Sequence, residues 1–155
     1  MEINKLAIFC LSTLLFNPSV TAEDNFTAGI GLGSLYGGIG VNLGLQSSTD
    51  FKYISAGCVS FSSLYGETCG FGIGYMTTAL FDYQSNKHAS NFYVGIVGTK
   101  RAHYYEKALY GVGLGYSYFF SGIDKSGANI GFSLTGAKVN DDLELGSMLQ
   151  LGYQF

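Results

Sequence analysis

The sequence predicts an all-β protein, an eight-stranded antiparallel up-and-down transmembrane β-barrel over residues 23–155, preceded by a signal peptide over residues 1–22. Three observations predict it. Apolar residues recur at every second position from Phe26 to Phe155. The face between them is Gly, Ser, Thr, Asn and Gln with almost no Lys or Glu, a poor water-facing surface but a suitable lining for a small closed barrel whose outside touches lipid. Charged residues are 12% of the chain against roughly 25% in ordinary domains, and they gather in short stretches between the alternating segments.

Composition excludes several classes. A chain this rich in aromatics (15%) and this poor in charge is not disordered. Its 23 glycines follow no period of three, so it is not collagen-like. A formal net charge of −3 gives no phosphate-binding footprint, and no nucleic-acid partner is expected. A length of 155 residues suits one domain.

The N-terminal segment reads as an export signal. Lys5 supplies the positive end, and Leu6 to Phe16 is an apolar run too short for the roughly 20 residues of a membrane helix. Val20 and Ala22 are the small residues of a cleavage site between Ala22 and Glu23. Cys10 lies within the apolar run, and Ala7-Ile8-Phe9 before it lacks the small residue of a lipoprotein box, so Cys10 is expected to leave with the signal.

The strands follow in order. Phe26, Ala28, Ile30 and Leu32 alternate with Thr27, Gly29, Gly31 and Gly33. The parity then flips, so that Ile39, Val41, Leu43 and Leu45 carry the apolar face, as a tight hairpin at 33–37 requires. Further strands are expected near 51–61, 70–79, 91–98, 108–120, 127–137 and 144–155. The uncharged run 26–49 is not a membrane helix. It holds seven glycines, each costing about 1 kcal/mol in a helix interior.

The last strand carries a resemblance. Leu149, Leu151, Tyr153 and Phe155 alternate with Gln150, Gly152 and Gln154, which resembles the C-terminal assembly signal of bacterial outer-membrane barrels. The whole of 23–155 resembles the small eight-stranded outer-membrane proteins of the OmpA/OmpX type. That resemblance implies a Gram-negative outer-membrane location, with outer-membrane lipid, lipopolysaccharide and the barrel assembly machinery as partners. It also implies a monomer with both termini in the periplasm. Turns near 46–50, 81–90 and 121–126 would then be periplasmic, and loops near 33–37, 62–69, 99–107 and 138–143 external. Phe26, Phe51, Tyr53, Phe81, Tyr83, Phe92, Tyr93, Tyr118, Phe119, Phe120, Tyr153 and Phe155 would form an aromatic girdle at the periplasmic rim, with Tyr36, Phe61, Tyr65, Tyr104 and Tyr105 at the outer rim.

Few residues offer chemistry. Cys58 and Cys69 form an even pair flanking the second external hairpin, and an oxidising compartment favours a disulfide between them. Cys58 shares a parity with the expected inner face of its strand and Cys69 with the outer face of the next, so a bridge is expected to need a bulge near Thr68 to Gly70. His88-Ala-Ser90-Asn91 resembles the His-x-Ser-Asn stretch of the lipid A deacylase PagL, which implies His88 as base and Ser90 as nucleophile. The stretch lies mid-chain, however, and Glu106, the best orienting acid, is expected at the opposite end of the barrel. Lys100, Arg101 and Lys107 form a basic cluster suited to lipopolysaccharide phosphates. Glycine runs such as GIGLG at 29–33 complete no dinucleotide fingerprint and are expected to relieve crowding in the lumen, leaving room for Tyr or Met. No metal or cofactor is expected. The leading functional reading is a structural or interaction barrel without catalysis. The alternatives are a PagL-type esterase using His88 and Ser90, and a barrel that binds or passes a small apolar ligand. An open pore is disfavoured because eight strands enclose only enough room for side chains.

Overall fold

A computed structural model describes residues 25–64, 66–81, 85–102, 105–139 and 142–155. The expected signal segment with its Ala22–Glu23 cleavage site lies outside the described residues, as do Tyr65, Tyr83 and Tyr104.

Eight strands alternate up and down: β1 (Asn25–Gly33), β2 (Gly38–Gln46), β3 (Asp50–Ser62), β4 (Gly66–Thr77), β5 (His88–Ala102), β6 (Tyr105–Phe119), β7 (Gly127–Val139) and β8 (Asp142–Gln154). Each pairs antiparallel with the next, and β8 closes on β1 through Ile30 opposite Tyr153 and Leu32 opposite Leu151. Three strands begin three or four residues earlier than the apolar alternation indicates: β4 at Gly66, β5 at His88 and β6 at Tyr105. Backbone pairing continues past the point where side chains alternate, because the ladder uses main-chain groups alone.

The two faces invert the pattern of a water-soluble protein. Outward positions such as Ile30, Val41, Ile54, Ile73, Val94, Val112, Phe132 and Leu151 are exposed, while Thr27, Asn42, Asn91, Asn129, Ser133, Gln150 and Gln154 are buried inside. Among the described residues no charged side chain is buried.

The expected girdle needs correction. Phe51, Tyr53, Tyr93 and Phe119 point into the lumen, with exposures of 0, 4, 2 and 2%. On β3 the pairing of Gln46 with Phe51 sets the parity, since Gln46 faces inward. The outward residues of β3 are therefore Lys52, Ile54, Ala56 and Cys58. Alternation alone could not choose, because β3 carries aromatics on one face and aliphatics on the other. Tyr36 is also displaced from its expected rim; it is fully buried inside the barrel. Phe26, Phe92, Phe120, Tyr153 and Phe155 do face outward.

The luminal glycines explain how rings fit in so narrow a barrel. A Cβ on Gly72 would sit 2.4 Å from the Tyr93 ring, one on Gly74 2.2 Å from the Tyr53 ring, and one on Gly44 2.7 Å from Phe51. Each ring lies across a glycine of a neighbouring strand, where any other residue would collide with it.

The barrel is not uniform along its axis. At the end carrying Asn25 and Phe155 all eight strands are joined. Toward the other end the β4–β5 ladder stops at Gly72 opposite Gly95, the β6–β7 ladder at Val112 opposite Gly136, and the β8–β1 ladder at Leu151 opposite Leu32. Beyond those levels β3–β4, β5–β6 and β7–β8 continue as three two-stranded ribbons. The first two ribbons lap. Ile96 shares the outward side of β5 with Phe92 and Val94 yet is fully buried, because Gly70 of β4 lies over it and over Tyr110.

Candidate functional site

The β1–β2 hairpin is the shortest, and its connection folds into the lumen instead of standing above it. Ser34–Tyr36 form one 3₁₀ turn, and Ser34, Leu35 and Tyr36 are all fully buried. Positive φ angles at Gly33 (105°) and Gly37 (67°) let the chain turn inward and back. The berth for this turn is made of glycine: a Cβ on Gly31 would lie 2.7 Å from the Tyr36 ring, and one on Gly152 would lie 2.3 Å from its hydroxyl.

The turn is held by side chains from four other strands. Asn91 Nδ2 and Ser133 Oγ donate to Ser34 Oγ at 3.1 and 3.0 Å, and Tyr53 Oη donates to Asn91 Oδ1 at 2.9 Å. Tyr36 Oη accepts from Asn129 Nδ2 at 2.7 Å, and Asn129 Oδ1 accepts from Gln150 Nε2 at 3.0 Å. A second group links Gln154 Nε2 to Thr27 Oγ1 and Asn42 Oδ1 at 2.9 and 3.0 Å, and the Thr27 hydroxyl donates to the Phe155 carbonyl at 2.8 Å. Amides and hydroxyls each donate and accept, so they satisfy one another without introducing charge. Gln46 Oε1 is buried without a partner among the described groups. The lumen thus contains a packed neutral network around the inserted turn.

The interior is lined with glycine as the sequence predicts, but the 33–37 connection, expected as an external loop, is buried in the lumen. The usable signal was the pair of nine-residue strands flanking it, shorter than the twelve to fifteen residues of β3 to β8, together with Gly33, Gly37 and Gly38 bracketing the turn.

The other candidate residues are spread over the surface. Cys58 and Cys69 form a disulfide. They are directly opposed in the ladder and both face outward, so the expected parity mismatch does not exist. A register shift does occur, but between Cys58 and Ser60 on β3 rather than near Gly70, and the bridge does not depend on it. The mistaken parity of β3 is the reason the mismatch was expected.

His88 and Ser90 lie on one outward face of β5 near the end that carries the termini. His88 Nδ1 is 2.6 Å from Tyr116 Oη, and its ring stands edge-on to Tyr118 and tilted against Phe81. Glu106 lies at the far end of the barrel, where its Oε2 accepts from Ser60 Oγ at 2.7 Å. The structure therefore does not bring His88, Ser90 and Glu106 together. Lys100 pairs with Lys107 and Arg101 with Glu106 across the β5–β6 ribbon. Leu149, Leu151, Tyr153 and Phe155 are all exposed on the outer face of β8, and the Phe155 amide donates to the Ala28 carbonyl at 2.8 Å.

Comparison with protein-family models, with curated proteins and with solved structures finds no match to this chain.

Proposed function

We propose that the chain is an integral outer-membrane β-barrel with a structural or interaction role, sealed to solutes and without catalysis. The observation that carries this reading is the pairing of a continuous apolar exterior with a neutral, hydrogen-bonded lumen filled by the chain's own β1–β2 turn. An apolar exterior of this kind needs hydrocarbon around it, and a closed ladder leaves no unpaired edge around its fully joined section. Tyr36, Tyr53, Tyr93 and Phe51 are buried in the lumen, which supports a sealed barrel. In this reading the end with the termini is periplasmic and the three ribbons project outward. Residues 1–22 are the export signal, β8 with Leu149, Leu151, Tyr153 and Phe155 addresses the chain to the assembly machinery, and Lys100, Arg101 and Lys107 meet lipopolysaccharide phosphates.

The test combines location with conductance. Cell fractionation and N-terminal sequencing should place a chain beginning at Glu23 in the outer membrane. The purified barrel should then give no steady conductance in a planar bilayer. Recovery in the soluble periplasm or inner membrane refutes the membrane reading, and stable ion channels refute the sealed lumen.

A further inference from the structure

The outward face of β3–β4 carries two sulfurs and a carboxylate close together at the base of its ribbon. Cys58 and Cys69 are direct ladder partners, with Ala56 opposite Phe71 on one side and Ser60 opposite Thr68 on the other. Glu67 stands two residues before Cys69 on the same face. The two sulfurs and a Glu67 carboxylate oxygen all lie within 4.8 Å of one another. Cys69 and Glu67 are exposed and Cys58 is half-buried. Phe71, next along the same face, still belongs to the apolar exterior, and Glu67 beyond Cys69 marks where that exterior gives way to charge.

We propose that this is a redox-gated binding site for a thiophilic divalent cation such as zinc or cadmium, with Cys58, Cys69 and Glu67 as its ligands. Oxidised, the sulfurs are bonded to each other and the site is shut. Two molecules of an external low-molecular-weight thiol open it. The Cys58–Cys69 bond breaks, each sulfur takes a proton, and the two external thiols leave as their own disulfide. Binding of the cation then displaces both protons, and the ligands are two thiolates and one carboxylate, with water in the fourth position.

The ladder is what makes the reduced pair a chelator. In a loop, two reduced cysteines drift apart. Here backbone pairing holds Cys58 directly opposite Cys69, with their Cα atoms 3.8 Å apart. A tetrahedral zinc with Zn–S bonds of about 2.3 Å needs its sulfurs only about 3.8 Å apart, which rotation of the side chains supplies without moving the strands. Glu67 adds a hard third ligand and a negative charge that favours a divalent over a monovalent ion.

The test uses the folded barrel in detergent micelles, reduced with a phosphine, with free thiols counted by alkylation. Zinc is titrated against a chromophoric competitor, and cadmium is followed by its thiolate charge-transfer band in the ultraviolet. The expected result is one ion per reduced chain and none per oxidised chain. Cys58→Ser should abolish binding, and Glu67→Gln should weaken it at least tenfold while the cadmium–thiolate band persists. Equal binding by the oxidised protein, persistence in Cys58→Ser, or no stoichiometric binding to the reduced protein overturns the site. Unchanged affinity in Glu67→Gln overturns the three-ligand set. The oxidised wild-type arm needs no variant to fold, and none of these outcomes bears on the sealed-barrel reading.

Discussion

The two ends of this barrel are built by different rules. At the end with the termini, eight strands share one continuous ladder around a lumen of rings, amides and glycines, where among the described residues Gln46 Oε1 and Ser55 Oγ are the buried side-chain polar atoms without a partner. At the other end the ladder divides into three ribbons, and a disulfide and a lap between β3–β4 and β5–β6 take its place. The difference shows where cooperativity comes from. In the joined half each side chain is held by strands far apart in sequence, so one misfit is felt around the whole ring. A ribbon is held by its own hairpin and a few side contacts, so damage there stays local.

Four substitutions sharpen that comparison, beginning with the greatest expected effect. Gly31→Val should prevent barrel closure. Its Cβ would lie 2.4 Å from the Leu151 carbonyl oxygen and 2.6 Å from Gly152 Cα, backbone atoms that cannot step aside without breaking the β8–β1 seam. Refolding into micelles and the heat-dependent shift in gel mobility report it; a normally shifting species would mean the seam is looser than its register indicates.

Tyr36→Ala should leave the barrel closed but weaker by about 3–5 kcal/mol, since a buried ring is lost and Asn129 loses its acceptor. Chemical unfolding in micelles measures it. A loss below about 1 kcal/mol would show that the inserted turn packs too loosely to support the lumen.

Cys69→Ser should cost about 2–3 kcal/mol on the chain-entropy account, since the bridge joins residues 11 apart in sequence. Amide exchange should quicken in the β3–β4 ribbon and stay slow in β1 and β8. Faster exchange throughout the ring would erase the distinction between the two halves.

Ser60→Ala should have the smallest effect, about 1 kcal/mol or less, because it removes one hydrogen bond to Glu106 in a partly exposed lap. Exchange at residues 96–102 and 105–111 is the sensitive readout. Protection unchanged there would mean that Gly70 packing on Ile96 holds the lap alone.

Much of this was legible beforehand. Strand number, direction and turn positions follow from alternation punctuated by charge, because a strand between two environments must alternate whatever its neighbours are. The luminal role of glycine was legible for the same reason. The faces of β3 were not. Phe51 and Tyr53 serve a membrane rim or a glycine-lined lumen equally well by composition, and the tie is broken by the partner strand, through Gln46 opposite Phe51. That one assignment also decided how the cysteines were read.

By itself, then, the sequence determined an inside-out eight-stranded barrel with an uncharged interior, since period, glycine content and charge placement are properties of each segment alone. The tertiary structure decided what fills it. Whether Tyr36 stands above the barrel or inside it depends on Gly31 and Gly152 leaving room and on Asn129 reaching its hydroxyl, from positions up to 116 residues away along the chain. It likewise decided that Cys58 and Cys69 share a face and that the ladder divides beyond Gly72 and Leu151. These are matters of register between strands, and register exists only once the ring has closed.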